Sequence, residues 1–239
     1  RSLAIADDTG PAGDGVTSDT QPTFSWTEAT DANGIAGYEY RLDGGDWSAT
    51  TELAAAPPAP LAEGPHSFEA RAVDNAGNAG PAVAMQIVVD LTAPAASSAV
   101  VNAGAAQRAK IVSLAAAFDG PVVLNGDALT VTNLATGISL LVPAAAFDPA
   151  TQTWGLSAVG LADGYYTASI AAAGVQDLAG NAMAADYSFE FFQLAGDTTG
   201  DARVDANDYL AVKWNVGLGG AAAWSAGDLD GDGDVDWAD

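Results

Sequence analysis

Two aspartate ladders, written in the same register 31 residues apart, constrain this chain more than any other feature of it. Residues 197–239 hold ten Asp and no Glu, and the aspartates are spaced, not clustered. With Asp197 as position one of a twelve-residue loop, oxygen donors fall at Asp197, Thr199, Asp201, Asp205 and Asp208, and Arg203 offers a main-chain carbonyl at position seven. With Asp228 as position one, Asp228, Asp230, Asp232, Asp236 and Asp239 take positions one, three, five, nine and twelve. Gly233 then sits at position six and Asp234 supplies the carbonyl at seven. Ca2+ is a hard cation that takes roughly six to eight oxygens at about 2.3–2.6 Å, and alternating donors let a curled loop turn several side chains onto one ion. Glycine at position six permits the sharp turn, and Val204 and Val235 at position eight are expected to anchor each loop to its neighbour. Without an ion the carboxylates would repel one another, so binding and ordering are expected to be coupled. Mg2+, which wants strict octahedral geometry and keeps its waters, fits poorly.

Between the ladders, Asp208–Val216 places Tyr209, Val212 and Val216 on one helical face, with Gly217 as a stop. The runs G-D-x-x-G-D-x-x-V-D-x-x-D-Y and G-D-L-D-G-D-G-D-V-D-W-A-D resemble the type I dockerin module, a loop followed directly by a helix, twice. The resemblance implies calcium in both loops and a cohesin partner met around positions ten and eleven, here Ala206 and Asn207, then Trp237 and Ala238. Position six of the first loop is Ala202 and position three is Thr199, so that site is expected to be the weaker. The hydroxyl pair common at positions ten and eleven is missing, which leaves cohesin binding in doubt. The sequence ends on Asp239, before a second helix; truncation and completion by a neighbouring chain are the two expectations.

Upstream, short β-like runs alternate with Gly, Pro, Asn and Asp punctuation. Pro22–Thr27 puts Phe24 and Trp26 on one face; Gly37–Leu42 alternates Tyr38, Tyr40 and Leu42 against Glu39 and Arg41; His66–Val73 sets Phe68 and Ala70 opposite Glu69 and Arg71. The runs R-L-D-G-G-D-W-S, L-A-E-G-P-H-S-F-E-A-R-A-V-D-N-A-G-N and V-V-D-L-T-A-P resemble a bacterial Ig-like or fibronectin-III-like surface repeat, which implies a spacer or adhesive module. Residues 95–195 continue in the same style, with a hairpin from Val131–Leu134 to Ile138–Val142 and a closing strand on Tyr187, Phe189 and Phe191. The segment D-G-Y-Y-T-A-S-I…V-Q-D-L-A-G-N-A resembles a second bacterial Ig-like class found in surface-layer proteins. The fold expected is mainly β, two tandem Ig-like β-sandwiches over residues 1–92 and 93–195, then a small dockerin-like or EF-hand-like calcium module over 196–239. The paired D-x-A-G-N segments, Asp74–Asn78 and Asp177–Asn181, read as tight turns.

Seven basic residues against 31 acidic ones give a net charge of −24, which excludes a nucleic-acid partner and disfavours anionic lipid. No run approaches a membrane helix, and no signal peptide opens the chain, whose first residue is Arg1; a mature or excised fragment is expected. There is no Cys and one histidine, His66, set on an alternating strand beside Phe68 where packing is the expected role. No catalytic residue is assigned, and neither a phosphate loop nor a dinucleotide fingerprint is present. Trp26 and Trp154 read as core, with Trp47 and Trp224 expected on the surface. Asp7, Asp8, Asp14 and Asp19, with Asp90, are either ordinary turn carboxylates or a further calcium site. The expectation is a secreted, non-enzymatic, calcium-binding structural protein of the bacterial cell surface. Its partner is another copy of itself in a filament, or a cohesin-like receptor; a polysaccharide is the third class.

Overall fold

The computed structural model describes residues 2–105, 110–157 and 160–239. The chain divides into two compact units, Arg1–Pro94 with Gln176–Ala182, and Ala95–Val175 with Met183–Asp239. Among the described residues no helix is long and apolar enough to cross a membrane.

In the first unit, alternation of apolar and polar residues produces eight strands among the described residues. They are β1 (Leu3–Ile5), β2 (Val16–Thr17), β3 (Phe24–Trp26), β4 (Ile35–Leu42), β5 (Ser48–Thr50), β6 (Ala54–Ala55), β7 (Gly64–Asp74) and β8 (Val83–Val89). They form one sheet in the order β1-β3-β6 and another in the order β2-β8-β7-β4-β5. Phe24 and Trp26 from the first sheet meet Tyr38, Phe68, Ala70, Ile87 and Val89 from the second in one core. The Phe24 and Phe68 rings stack at 4.0 Å and 10°. In that stack each ring covers the other's face, and Ile87 and Val89 are buried in the same core.

The opposite face of β4 and β7 carries charge. Their register sets Glu39 beside Arg71 and Arg41 beside Glu69, and both pairs close as ion pairs at 2.7 and 3.0 Å. Both guanidiniums lie over the Trp47 ring, Arg41 at 4.5 Å and Arg71 at 4.0 Å from its centre. It is therefore half-buried under cations instead of open to solvent as expected.

His66 has both ring nitrogens engaged, Nδ1 with the Asp43 carboxylate at 2.7 Å and Nε2 with the Ala62 carbonyl at 2.8 Å. The Asp43 hydrogen bond raises the imidazole above its ordinary value, against a smaller pull from burial. Burial works to raise Asp43, but hydrogen bonds from His66 and the Ser67 N–H hold it below the usual carboxylate range. The His66 contribution is complete below about pH 6.5 and fades as pH rises through the raised folded value; the Asp43 contribution is complete above about pH 4 and fades as pH falls through the lowered one. Thermal melts of wild type and His66→Gln should therefore differ most between about pH 4 and 6.5, and the difference should shrink as pH rises above the raised imidazole value. A difference that grows toward pH 8 would refute the pairing.

The second unit carries β9 (Ala96–Val101), β10 (Ser113–Phe118), β11 (Val122–Leu124), β12 (Leu129–Asn133), β13 (Ser139–Val142), β14 (Phe147–Asp148), β15 (Thr153–Gly155), β16 (Gly164–Ile170) and β18 (Tyr187–Gln193), while β17 (Val175–Asp177) has Val175 in this unit and its other two residues in the first. One sheet runs β14-β15-β10-β9 and another β13-β12-β16-β18. Leu114 and Trp154 from the first meet Leu129, Val131, Val142, Tyr166, Ala168 and Ile170 from the second in a single core. Trp26 and Trp154 are both buried, as expected of them. Strands β12 and β13 form the expected antiparallel hairpin, and β13 is an edge. That edge leaves Ile138 (62% exposed) and Leu141 in solvent, and residues 129–143 contain no charged side chain.

The two D-x-A-G-N segments fold alike. Asp74 accepts the Asn78 N–H and side-chain amide, Asp177 accepts the same two groups of Asn181, and Gly77 and Gly180 stand at φ +86° and +87°. Only glycine enters that region without strain.

Candidate metal centre

The chain between the last strand and the C-terminus is organised by its own aspartates. Asp197 turns both carboxylate oxygens onto the first loop, accepting Gly200 N–H at 2.7 Å and Ala202 N–H at 2.9 Å. Asp228 does the same in the second, with Gly231 at 2.7 Å and Gly233 at 3.1 Å. Position twelve closes each loop: Asp208 accepts the N–H groups of Thr198, Thr199 and Asp205, and Asp239 those of Leu229, Asp230 and Asp236. The shared sequence register is thus a shared hydrogen-bond register. Burial works to raise Asp208 and Asp239, but these backbone donors outweigh it and hold both carboxyls below the ordinary range.

Position nine has a second task. Asp205 caps α1 (Ala206–Asn215), accepting the Asn207 N–H while Asp208 returns a bond to the Asp205 N–H. This capping box starts the helix two residues ahead of the expected Asp208, and Gly217 at φ +92° follows its end. Asp236 and Asp239 repeat the box, with Ala238 N–H on Asp236 at 2.6 Å.

The loops differ in how they gather charge. Among the described residues, three or more acids come close enough to share an ion only in the second loop, as Asp228–Asp230–Asp232 and as Asp234–Asp236–Asp239, each with ligand atoms within 4.8 Å of one another. Asp234, expected to offer only its carbonyl, brings its carboxylate too. Asp232 foremost, then burial, then Asp236, Asp239 and Asp230 push that carboxyl above its ordinary value, and Asp234 Oδ1 is buried without a hydrogen bond. Asp201, Asp205 and Asp208 of the first loop, with Asp197, form no such group, and Thr199 donates to Asp197 at 3.4 Å. Arg203 at position seven donates its N–H to Asp201.

Ala202 at position six stands at φ +66° where Gly233 stands at +92°. A residue with Cβ is strained there by about 1–2 kcal/mol. Ala202→Gly should therefore stabilise the first loop by about 1 kcal/mol, seen as a higher melting temperature of the C-terminal segment; an unchanged or lower value would show that the strain is not felt. Sequence reasoning missed position four, where Gly200 and Gly231 also take left-handed backbone, at φ +76° and +83°. The expected anchoring by position eight is met at Val235, buried and bonded through its N–H to Leu218 O and through its carbonyl to Gly217 N–H. It is not met at Val204, which is 56% exposed.

The other acidic candidates are engaged singly. Asp8, Asp14, Asp19 and Asp90 each accept a nearby backbone N–H, from Gly13, Val16, Gln21 and Thr92, and Asp7 accepts that of the distant Thr23. Among the described residues they form no close group of three. The exposed indoles are Trp214 and Trp237, at 76% and 91%, not Trp47 or Trp224.

Residues 1–91 match the bacterial Ig-like domain family, Big_13. Among solved structures, fibronectin(III)-like modules of Clostridium thermocellum CbhA are similar at 14% identity over 80% of this chain and 94% of that one, with a TM-score of 0.39. A two-domain fibronectin type-III segment of chicken tenascin is similar at 10% identity over 81% and 98%, with a TM-score of 0.29. Chitinase ChiA74 from Bacillus thuringiensis is similar at 15% identity over 80% of this chain and 28% of that one, with a TM-score of 0.32. No curated protein sequence matches the chain.

Proposed function

We propose that this chain is a non-enzymatic, calcium-binding structural protein of the bacterial cell surface. Its Ig-like first unit and a second sandwich of the same kind serve as spacers, and residues 196–239 form a dockerin-like calcium module. The observation that carries the reading is the second loop: six carboxylates (Asp228, Asp230, Asp232, Asp234, Asp236 and Asp239) fall in two close groups within twelve residues, with no basic residue among them. Such crowding is costly until a divalent cation relieves it, and oxygen-only donors favour Ca2+ over softer metals. The matching backbone register of the first loop supports a second, weaker ion there. Ig-like and fibronectin-III-like domains occur in surface proteins and beside hydrolase domains, which supports the extracellular setting.

Calorimetric titration of the whole chain with Ca2+ tests this. Wild type should take up calcium at two sites of unequal affinity. Asp232→Ala should lose the tighter one, with both cores still giving their normal melting transitions. Unchanged uptake by that variant would sink the ligand assignment.

A further inference from the structure

Asparagine is followed by glycine twice in this chain, at Asn33–Gly34 and at Asn125–Gly126. Glycine has no Cβ, so its backbone nitrogen can approach the preceding side chain more closely than that of any larger residue. The fold treats the two steps differently. Gly34 N–H donates to the Asp31 carbonyl at 3.1 Å. Asn33 is pinned on both sides of its α-carbon, with its N–H on Asp31 Oδ1 at 2.8 Å and its carbonyl under the Asn75 amide at 2.6 Å. At the second step, among the described residues, nothing holds Gly126 N–H or either polar atom of the Asn125 side chain. Both residues are exposed, and apart from its chain neighbours no atom lies within 4 Å of where a Gly126 Cβ would stand. The turn that carries them joins β11 to β12 and is anchored at its ends. Asn125 N–H donates to Gly174 O at 2.9 Å, and Asp127 accepts Ala144 N–H at 2.6 Å.

We infer that Asn125–Gly126 is a site of spontaneous covalent modification, at which the asparagine amide is lost through a cyclic imide with water as the only co-reactant. The Gly126 nitrogen attacks Asn125 Cγ, and the new N–Cγ bond forms as the Cγ–Nδ2 bond breaks. The Gly126 amide proton leaves with Nδ2 as ammonia. Water then opens the imide ring at one of its two carbonyl carbons. Attack at Cγ gives aspartate in the ordinary chain. Attack at the main-chain carbon gives isoaspartate, whose backbone runs through the former side chain and is longer by one methylene. Either product places a new carboxylate next to Asp127 in sequence. Asp–Gly steps close the same ring, yet here each is restrained. Gly231 and Gly233 N–H are held by Asp228, and the carboxylates of Asp14, Asp43, Asp119 and Asp163 accept backbone N–H groups. The chemistry uses no metal, so it stands apart from the calcium reading.

The test ages the whole folded chain in mildly alkaline buffer and follows both Asn–Gly steps by peptide mapping with mass detection. Asn125 should lose its amide at least about tenfold faster than Asn33. In denaturant, where the fold holds neither step, the two should convert at rates within a few-fold of each other. Equal rates in the folded chain, or faster loss at Asn33, would overturn the inference. So would an Asn125 that converts in denaturant and stays intact in the fold. A difference of about tenfold that persists in denaturant would assign the selectivity to local sequence and overturn it too. Asn125→Gln, an exposed substitution that would have to close a larger ring, supplies the second readout. It should abolish the acidic species that accumulates on ageing, as seen by isoelectric focusing. An undiminished acidic species in that variant would place the conversion elsewhere in the chain and overturn the assignment.

Discussion

Phe68→Ala should cost the first unit about 3–5 kcal/mol, the range for emptying a fully buried aromatic site. Phe68 has no exposed surface and stacks against Phe24 at 4.0 Å, with Tyr40 at 5.8 Å and Trp26 at 6.0 Å from its centre. Truncation therefore removes transfer free energy, leaves a cavity and breaks ring pairs that each contribute about 0.5–1.5 kcal/mol beyond their area. The site has little room to collapse, because its neighbours lie on two sheets whose register is fixed by backbone ladders. Domains of this size are stable by about 5–15 kcal/mol, so the variant should unfold at far lower denaturant, with the midpoint moved and the slope kept. A loss below about 1 kcal/mol would mean that the stack is not the centre of the core.

Removing calcium should have the other large effect. A ligand that binds only the folded state stabilises it by about 2.7 kcal/mol at a hundred times its Kd and about 4.1 kcal/mol at a thousand times. Chelator should therefore release residues 196–239 while both sandwich cores stay ordered. Amide hydrogen exchange would report this residue by residue: Gly231, Gly233 and Asp236, whose N–H groups are held by Asp228 and Asp239, should lose protection first. Protection that ignores chelator would refute the linkage between ion and fold.

Much of the core was legible in the sequence because strand alternation is a local signal. Phe24, Trp26, Phe68 and Trp154 could be assigned inward from their neighbours alone. The start of α1 was not legible, because Asp205 and Asp208 were read as metal donors and a capping box uses the same residue types at the same spacing. Trp47 was misread for a different reason. Its cover comes from Arg41 and Arg71, and only the pairing of β4 with β7 brings those two together. Val204 and Val235 hold equivalent positions in sequence, yet only Val235 reaches Gly217 and Leu218; that asymmetry is set by the path of the chain after α1. The aspartate ladders gave the loop geometry in advance, but not the entry of Asp234's carboxylate into the second cluster.

The uncharged hairpin edge at β13 bears on how this protein behaves in concentrated solution. A strand edge with open backbone groups, flanked by Ile138 and Leu141, is a template for adding another strand, and no lysine or proline within Ser139–Val142 blunts it. What holds copies apart is long-range repulsion from the −24 charge carried elsewhere. That repulsion reaches about 10 Å at 0.1 M salt and only about 3 Å at 1 M. Colloidal stability is therefore a function of ionic strength: dilute buffer keeps the chains dispersed, and concentrated salt leaves the edge unguarded.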